Sequence, residues 1–405
     1  MHQSKNLNSI RFTLNIKVIL VLLIIFNSVG IRYFQGQGII LGLIILTIFV
    51  VKYTGFVFSN KTLKFFILII FLSPLFIRSF DVATLKRYIV FSVNFLNAFL
   101  FVQTYDGNFY KSMRDIKSAL NVFFIHAFIS VLLIPLPKTD FTAGLNYHTI
   151  LYIFNYSNTT FNFLKDSRIT GFFWEPGILQ LFLNLFLFLE IKERKSFVKI
   201  GLVIMTILFT LSTAGYLILL INLLYYLIRN KFKIKYILII GVGSVLLSSI
   251  FITNMDNKLS GNARSSSAIR FMNMKMAYNL ILAKPLFGYG LQGSSFYANN
   301  GIAYNSMLDY FSRQDIQTLG LERLGLTNGI LQIGVFFGIP MLLLIFYGIL
   351  RQKILGKLGK VENLFFFAIL FMSALSEPIF TTSFFLIFPI SALTRKKNKN
   401  SLSLL

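Results

Sequence analysis

Long apolar stretches recur along this chain, and their length fixes what it can fold into. They fall at about 14–31, 38–58, 63–78, 88–105, 118–136, 174–190, 197–212, 214–229, 236–253, 327–349, 363–377 and 380–393. Many approach or exceed the roughly 18 residues that a helix needs to cross the hydrocarbon of a bilayer. Composition agrees, with 56% apolar and 13% charged residues. A soluble domain has about 45–50% and 25%. The expected fold is therefore an all-α, polytopic integral membrane protein with about twelve transmembrane helices. No linker divides it, so residues 1–405 read as a single membrane domain.

The net charge of +25 is distributed as short clusters between spans, not over one face of a soluble domain, so nucleic acid is not the partner. The basic clusters occupy alternate connections. They are Lys5 and Arg11; Lys61 and Lys64; Lys111, Arg114 and Lys117; Lys192, Arg194, Lys195 and Lys199. Arg229, Lys231, Lys233 and Lys235 follow, then Arg351, Lys353, Lys357 and Lys360, and last the tail with Arg395, Lys396, Lys397 and Lys399. The positive-inside rule places all of these, and both termini, in the cytoplasm. The first span is too long an apolar run for a cleaved signal and has no A-x-A site after it. One outer connection runs against the rule: it carries Arg78, Lys86 and Arg87 against the single acid Asp81.

Two outer-face loops are long, at about 137–173 and 254–326. Loops of that length inside a compact membrane domain are usually functional. Both carry arginines on the face where arginine is disfavoured, which points to an anionic partner. Cysteine is absent, and the three histidines (His2, His126 and His148) are far apart. Thiolate chemistry and Cys-ligated metals are excluded, and no metal or cofactor site is expected.

The first loop ends in Ser167-Arg168-Ile169-Thr170-Gly171-Phe172-Phe173-Trp174-Glu175-Pro176-Gly177 and runs straight into a span. Proline suits the first helical position, where its missing N–H is no loss. That makes Glu175 the expected N-cap and Trp174 an interfacial belt residue. A capping glutamate beside a snorkelling arginine accounts for the same residues without chemistry. The second loop opens Arg264-Ser265-Ser266-Ser267-Ala268-Ile269-Arg270, where a serine can cap a helix running to Ala283. Ile269, Met272, Met276, Leu280 and Ala283 form an apolar stripe, so the expected helix is amphipathic and lies on the membrane surface. Arg270 lies off that stripe and Arg264 precedes the helix, both near amides that could hold an anion; contact with lipid headgroups is the plainer account.

Next comes Pro285-Leu286-Phe287-Gly288-Tyr289-Gly290-Leu291-Gln292-Gly293. Its G-x-G-x-x-G is no nucleotide fingerprint, since it follows a helix and a proline and not a strand. Gly288 and Gly290 are candidate substrate-binding positions because amides of such a turn can approach an anion. Thr327-Asn328 opens a later span, and Glu377-Pro378 repeats the Glu-Pro pattern at the outer end of another. Asn328 and Glu377 join the candidate substrate-binding set. Within spans, Asn94, Asn97, His126, Asn184 and Asn222 are polar, which interhelical hydrogen bonding explains as well as function does. A carboxylate in the middle of a span, expected of an ion-coupled transporter, is missing.

The runs RITGFFWEPGILQ, IRFMNMKMAYNLILAKPLFGYGLQ and TNGILQIGVFFGIP resemble, in order and spacing, three landmarks of the Wzy-type O-antigen and capsular polysaccharide polymerases. These share a superfamily with the O-antigen ligases. The resemblance covers about residues 165–390; the first half agrees in hydropathy alone. The ligase branch typically has a His-Asn pair where this chain has Thr327-Asn328, which favours the polymerase branch and leaves the base unassigned. The resemblance implies inverting, metal-independent polymerisation on the outer face of the bacterial cytoplasmic membrane. Donor and acceptor would both be polyprenyl-diphosphate-linked oligosaccharides, and a chain-length regulator is a conceivable partner. Arg168, Arg264 and Arg270 would hold the diphosphate, since guanidinium matches phosphate bidentately. Glu175 is the first candidate for the base or hydroxyl-orienting group, Glu377 the second and His148 a third. A ligase and a glycolipid flippase are the alternatives.

Overall fold

The computed structural model describes residues 16–29, 38–52, 82–105, 108–142, 146–158, 167–173, 175–194, 196–231, 252, 264–292, 295–318 and 326–393. In chain order these form α1 (Ile16–Val29), α2 (Gly38–Lys52), α3 (Val82–Thr104) and α4 (Phe109–Leu132), then β1 (Thr139–Thr142), β2 (Asn146–Ile150), β3 (Phe154–Asn158) and β4 (Ser167–Gly171). There follow α5 (Pro176–Lys192), α6 (Phe197–Leu208), α7 (Thr213–Arg229), α8 (Arg264–Ala283), α9 (Ser295–Asn299), α10 (Gly301–Leu308) and α11 (Arg313–Thr318). The chain closes with α12 (Gly329–Leu350), α13 (Lys360–Ser376) and α14 (Ser383–Leu393).

The structure is mostly helical, and α1–α7 and α12–α14 coincide with expected spans. The expected spans at 63–78 and 236–253 lie outside the described residues. By length and composition, helices at 84–104, 109–132 and 329–350 can cross a membrane; those at 16–28, 40–49, 197–208, 213–229 and 383–392 are apolar but shorter. A count of twelve is therefore not established.

α5 is the axis of the bundle. Every residue from Ile178 to Ile191 is buried, as expected of a helix apolar on all sides, and α4, α6, α7 and α13 pack around it. Asparagines tie the helices together. Asn184 Nδ2 donates to Gly215 O at 3.3 Å and Asn222 Nδ2 to Asn184 Oδ1 at 3.0 Å. Asn27 Nδ2 donates to Asn94 Oδ1 at 2.9 Å, and Asn97 Nδ2 to Gly42 O at 3.0 Å. The span asparagines thus pair across helices, where lipid offers no partner.

The basic connections meet at one end. Lys117 of α4 and Lys199 of α6 reach Glu190 of α5 at 3.2 and 2.9 Å, and Arg229 of α7 reaches Glu362 of α13 at 2.5 Å. From Glu175 to Lys192 the axis rises about 25 Å at 1.5 Å per residue, so the Glu175 end is the opposite one.

The first long loop corrects the all-α expectation. It holds a four-stranded antiparallel sheet in the order β1-β2-β3-β4. β3 and β4 rest on α4, and β4 also on α5. The β2–β3 turn puts Leu151 and Tyr152 at φ 54 and 57, while Ile153 N–H donates to Ile150 O at 3.2 Å. Two left-handed residues are the geometry for which Asn-Gly is the usual sequence. Leu-Tyr carries no such signal, so the hairpin is invisible in the sequence.

The second loop holds the expected helix, ending at Ala283 as read, but not its expected environment. The stripe residues Met272, Met276 and Leu280 are buried, with Ile269 partly so, in a cluster that includes Ala303 and Met307 of α10 and Val335 and Phe336 of α12. The stripe therefore faces protein, not the membrane surface. It could not be told from a membrane-facing stripe because lipid and protein interiors select the same apolar side chains.

A break in α12 locks this loop down. Gly338 has φ 79 inside the helix and Pro340 follows. A proline has no N–H for Phe336 O, and the break removes the partner of Val335 O. The glycine turn supplies both: Tyr289 N–H donates to Val335 O and Gly290 N–H to Phe336 O, each at 2.8 Å, while Ile339 N–H donates back to Pro285 O at 2.7 Å. A Cβ on Gly288 would strike the backbone of Val335 and Phe336, and one on Gly338 that of Leu286. Two of the three sequence landmarks are thus halves of one joint.

Candidate functional site

At the end of the bundle opposite the basic clusters, four chain segments bring charged groups together. Glu175 is the N-cap of α5, with Pro176 at the first helical position as expected, and its side chain makes no capping hydrogen bond. Capping therefore does not account for its side chain. Arg168 on β4 is held by an Nε–H donation to Ser157 Oγ on β3 at 2.8 Å, so the sheet sets its position. Arg270 is exposed on α8. Both guanidiniums act on Glu175: burial pushes its carboxyl above the usual carboxylate range, and Arg270 and then Arg168 oppose that rise. A helix N-terminus favours the anion as well, so burial is the larger effect here.

Glu377 joins them from the other side. It is the C-cap of α13, 6% exposed, with its carboxylate against Gly177 in the first turn of α5. Its backbone lies against Gly329 in the first turn of α12. Burial first, then the neighbouring Glu175 charge, push its carboxyl up to about 8, with Arg270 opposing. Neighbouring carboxyls do not both ionise readily, and the more deeply buried Glu377 is the one that holds a proton at neutral pH.

The other candidates fall into two groups. Asn328 caps α12, its Oδ1 accepting from Ile330 N–H at 3.0 Å and Leu331 N–H at 3.0 Å. Thr327 beside it accepts from Asn273 Nδ2 of α8 at 3.5 Å. The amides of Gly288, Tyr289 and Gly290 point at carbonyls of Lys284, Val335 and Phe336 rather than at an open site. Arg264 opens α8, but its side chain lies outside the described residues, as does Trp174. His148 stands on β2 opposite Asp140 and Tyr156 in register. No group of three His, Cys, Asp or Glu placed to hold a metal occurs among the described residues.

Two residues have roles here that the sequence did not suggest. His126 of α4 stacks between Phe172 and Phe154, with centroids at 3.6 and 4.9 Å, and so seats the sheet that carries Arg168. Arg87 of α3 donates from Nη1 to Gln292 O at 2.6 Å and anchors the glycine turn. Only its sign, basic in an outer connection, hinted at a special partner.

The site thus pairs one buried and one half-buried carboxylate with two arginines on a helix bundle. Residues 199–346 match the O-antigen ligase family. The match is consistent with the O-antigen ligase/polymerase superfamily that the three motifs resemble, and it supports a membrane enzyme of that type, glycosyltransferase-like in class. The O-antigen ligase match takes in α8 with Arg270, the glycine turn, Asn328 and the break in α12. Arg168, Glu175 and Glu377 lie outside it and are brought to its edge by the fold. No curated protein and no solved structure matches the chain.

Proposed function

We propose that this protein is a polysaccharide polymerase of the outer face of the bacterial cytoplasmic membrane, joining polyprenyl-diphosphate-linked oligosaccharide repeat units. The observation that carries it is the convergence of Arg168, Arg270, Glu175 and Glu377 from four elements at the end opposite the basic clusters. In the reaction an acceptor hydroxyl attacks the anomeric carbon of the donor from the face opposite the leaving group. The new C–O bond forms as the bond to the lipid diphosphate breaks, inverting that carbon, and the hydroxyl proton passes to Glu175. Charge develops on the leaving diphosphate, and Arg168 and Arg270, with Arg264, stabilise it. Each charge-assisted hydrogen bond contributes roughly 1.5–3 kcal/mol. Glu377 keeps its own proton, and the raised affinity of Glu175 for a proton makes it the better base.

The ligase reading keeps the same donor chemistry with a different acceptor, and the family description favours it directly. One experiment separates the two. Purified protein in liposomes receives a single lipid-linked repeat unit as donor and acceptor, without nucleotide and with a chelator present. A ladder of longer lipid-linked glycans, lost in Arg270→Ala and partly restored in Arg270→Lys, is the expected result. Transfer only onto a lipid A-core acceptor would establish the ligase instead, and passage of intact glycolipid across the bilayer with no new bond would establish a flippase.

A further inference from the structure

Lys86 and Arg87 are the basic residues that break the charge rule, and the donor chemistry above does not use them. The structure puts both in the first two turns of α3, at the carboxylate end of the bundle. There they line a cavity of about 380 Å³ between α3, α12 and the connection into α14, together with Asn94, Gln332, Phe336 and Thr381. Its lining contains no carboxylate, and Lys86 and Arg87 make no ion pair among the described residues. A volume above about 300 Å³ is the range of small-molecule sites.

Two further features give the cavity a preferred occupant. Gln332 lines the cavity and offers it a neutral amide group. Two cations call for a phosphate. Gln332 also stands one helical turn after Gly329, whose backbone lies against Glu377, and residues three apart share a helix face. The cavity thus lies within about one helical turn of the segment that carries Glu377.

We infer that this cavity is a second substrate subsite, in which Lys86 and Arg87 hold the phosphate of a lipid-linked glycan and the Gln332 amide meets its sugar. The inference rests on the polymerase reading, which requires two lipid-linked substrates at once. The first is held at Arg168 and Arg270, and the second here.

The test is a binding stoichiometry on the full chain in detergent, by native mass spectrometry with farnesyl diphosphate as probe. The wild type is expected to bind two molecules. Lys86→Glu, at an exposed position with no packing role, should weaken one of them at least about tenfold, the loss of one charge-assisted hydrogen bond, and spare the other. Arg270→Gln should do the converse. Because Arg87 also anchors Gln292, it is changed to Lys, which keeps the charge and should keep both sites. One molecule in the wild type, or two undiminished in Lys86→Glu, overturns the subsite. Inorganic pyrophosphate matching farnesyl diphosphate at the Lys86-sensitive site would show a free-phosphate site and overturn the lipid-linked assignment. Two sites without a glycan ladder in liposomes would retain the subsite and reject the polymerase; a ladder with one site would do the reverse.

Discussion

Glu175 and Glu377 differ in the sequence only by position, since each precedes a proline at an outer helix end. What separates them is burial. Glu175→Gln removes the proton acceptor and should lower transfer by roughly a hundred- to ten-thousandfold, measured as initial rate in the liposome assay at equal expression. Glu377→Gln replaces a carboxyl already protonated at pH 7 with a neutral hydrogen-bonding group, so most activity should remain. Its effect should appear in stability against pH. An unfolded glutamate loses its proton near 4.5 and folded Glu377 near 8. Between those values the native state binds one more proton than the unfolded state, so stability falls as pH rises. The contribution is fully present below about 4.5 and lost by about 8. Thermal melts from pH 5 to pH 8.5 should therefore show a decline in the wild type that Glu377→Gln lacks; parallel curves would remove the buried-carboxyl assignment.

At the scale of elements, two devices hold the outer loops. The joint between the glycine turn and the broken α12 depends on Gly288 at φ 63 and Gly338 at φ 79, with backbone pressed against both. Alanine at either position meets left-handed strain of about 1–2 kcal/mol before any clash is counted. Gly338→Ala should lower the thermal midpoint and expose the Lys284–Tyr289 turn to protease. A variant that melts and resists cleavage like the wild type would show that the joint is not holding the loop. The β2–β3 hairpin offers the opposite experiment. Leu151→Asn with Tyr152→Gly installs the residues its turn prefers and should stabilise by about 1–2 kcal/mol. The measurement is the midpoint of unfolding, and a lower midpoint would show that the two apolar side chains contribute more than the strain costs.

At the scale of the whole molecule, the two ends have opposite characters, and topology reporters test them directly. Fusions near Asn108 or Lys195 should report cytoplasmic, and those near Asn158 or Asn299 external. A cytoplasmic report from either long loop would put the carboxylate pair on the wrong side for an exported glycolipid. The helices and their basic ends were legible because hydropathy and charge placement act locally: each span is apolar along its own length, and each Lys or Arg cluster flanks its own helix. Glu175 at an N-cap before Pro176, and a helix ending at Ala283, were legible for the same reason. The four-stranded sheet was not, because Leu151-Tyr152 carries no turn signal and its strands are only four or five residues long. The pairing of Glu377 with Glu175 was not legible either, since two residues about two hundred positions apart share no local pattern, and burial, which sets their proton affinities, belongs to neither segment alone. The glycines were visible as glycines, but their use was decided by two carbonyls of α12 left without donors. By itself, then, the sequence determined the membrane class, the helical elements and their charge polarity, all properties of residues near one another along the chain. The tertiary structure alone decided which carboxylate keeps its proton, which arginines face it and what the glycine turn bonds to, because each depends on groups from distant segments excluding water together.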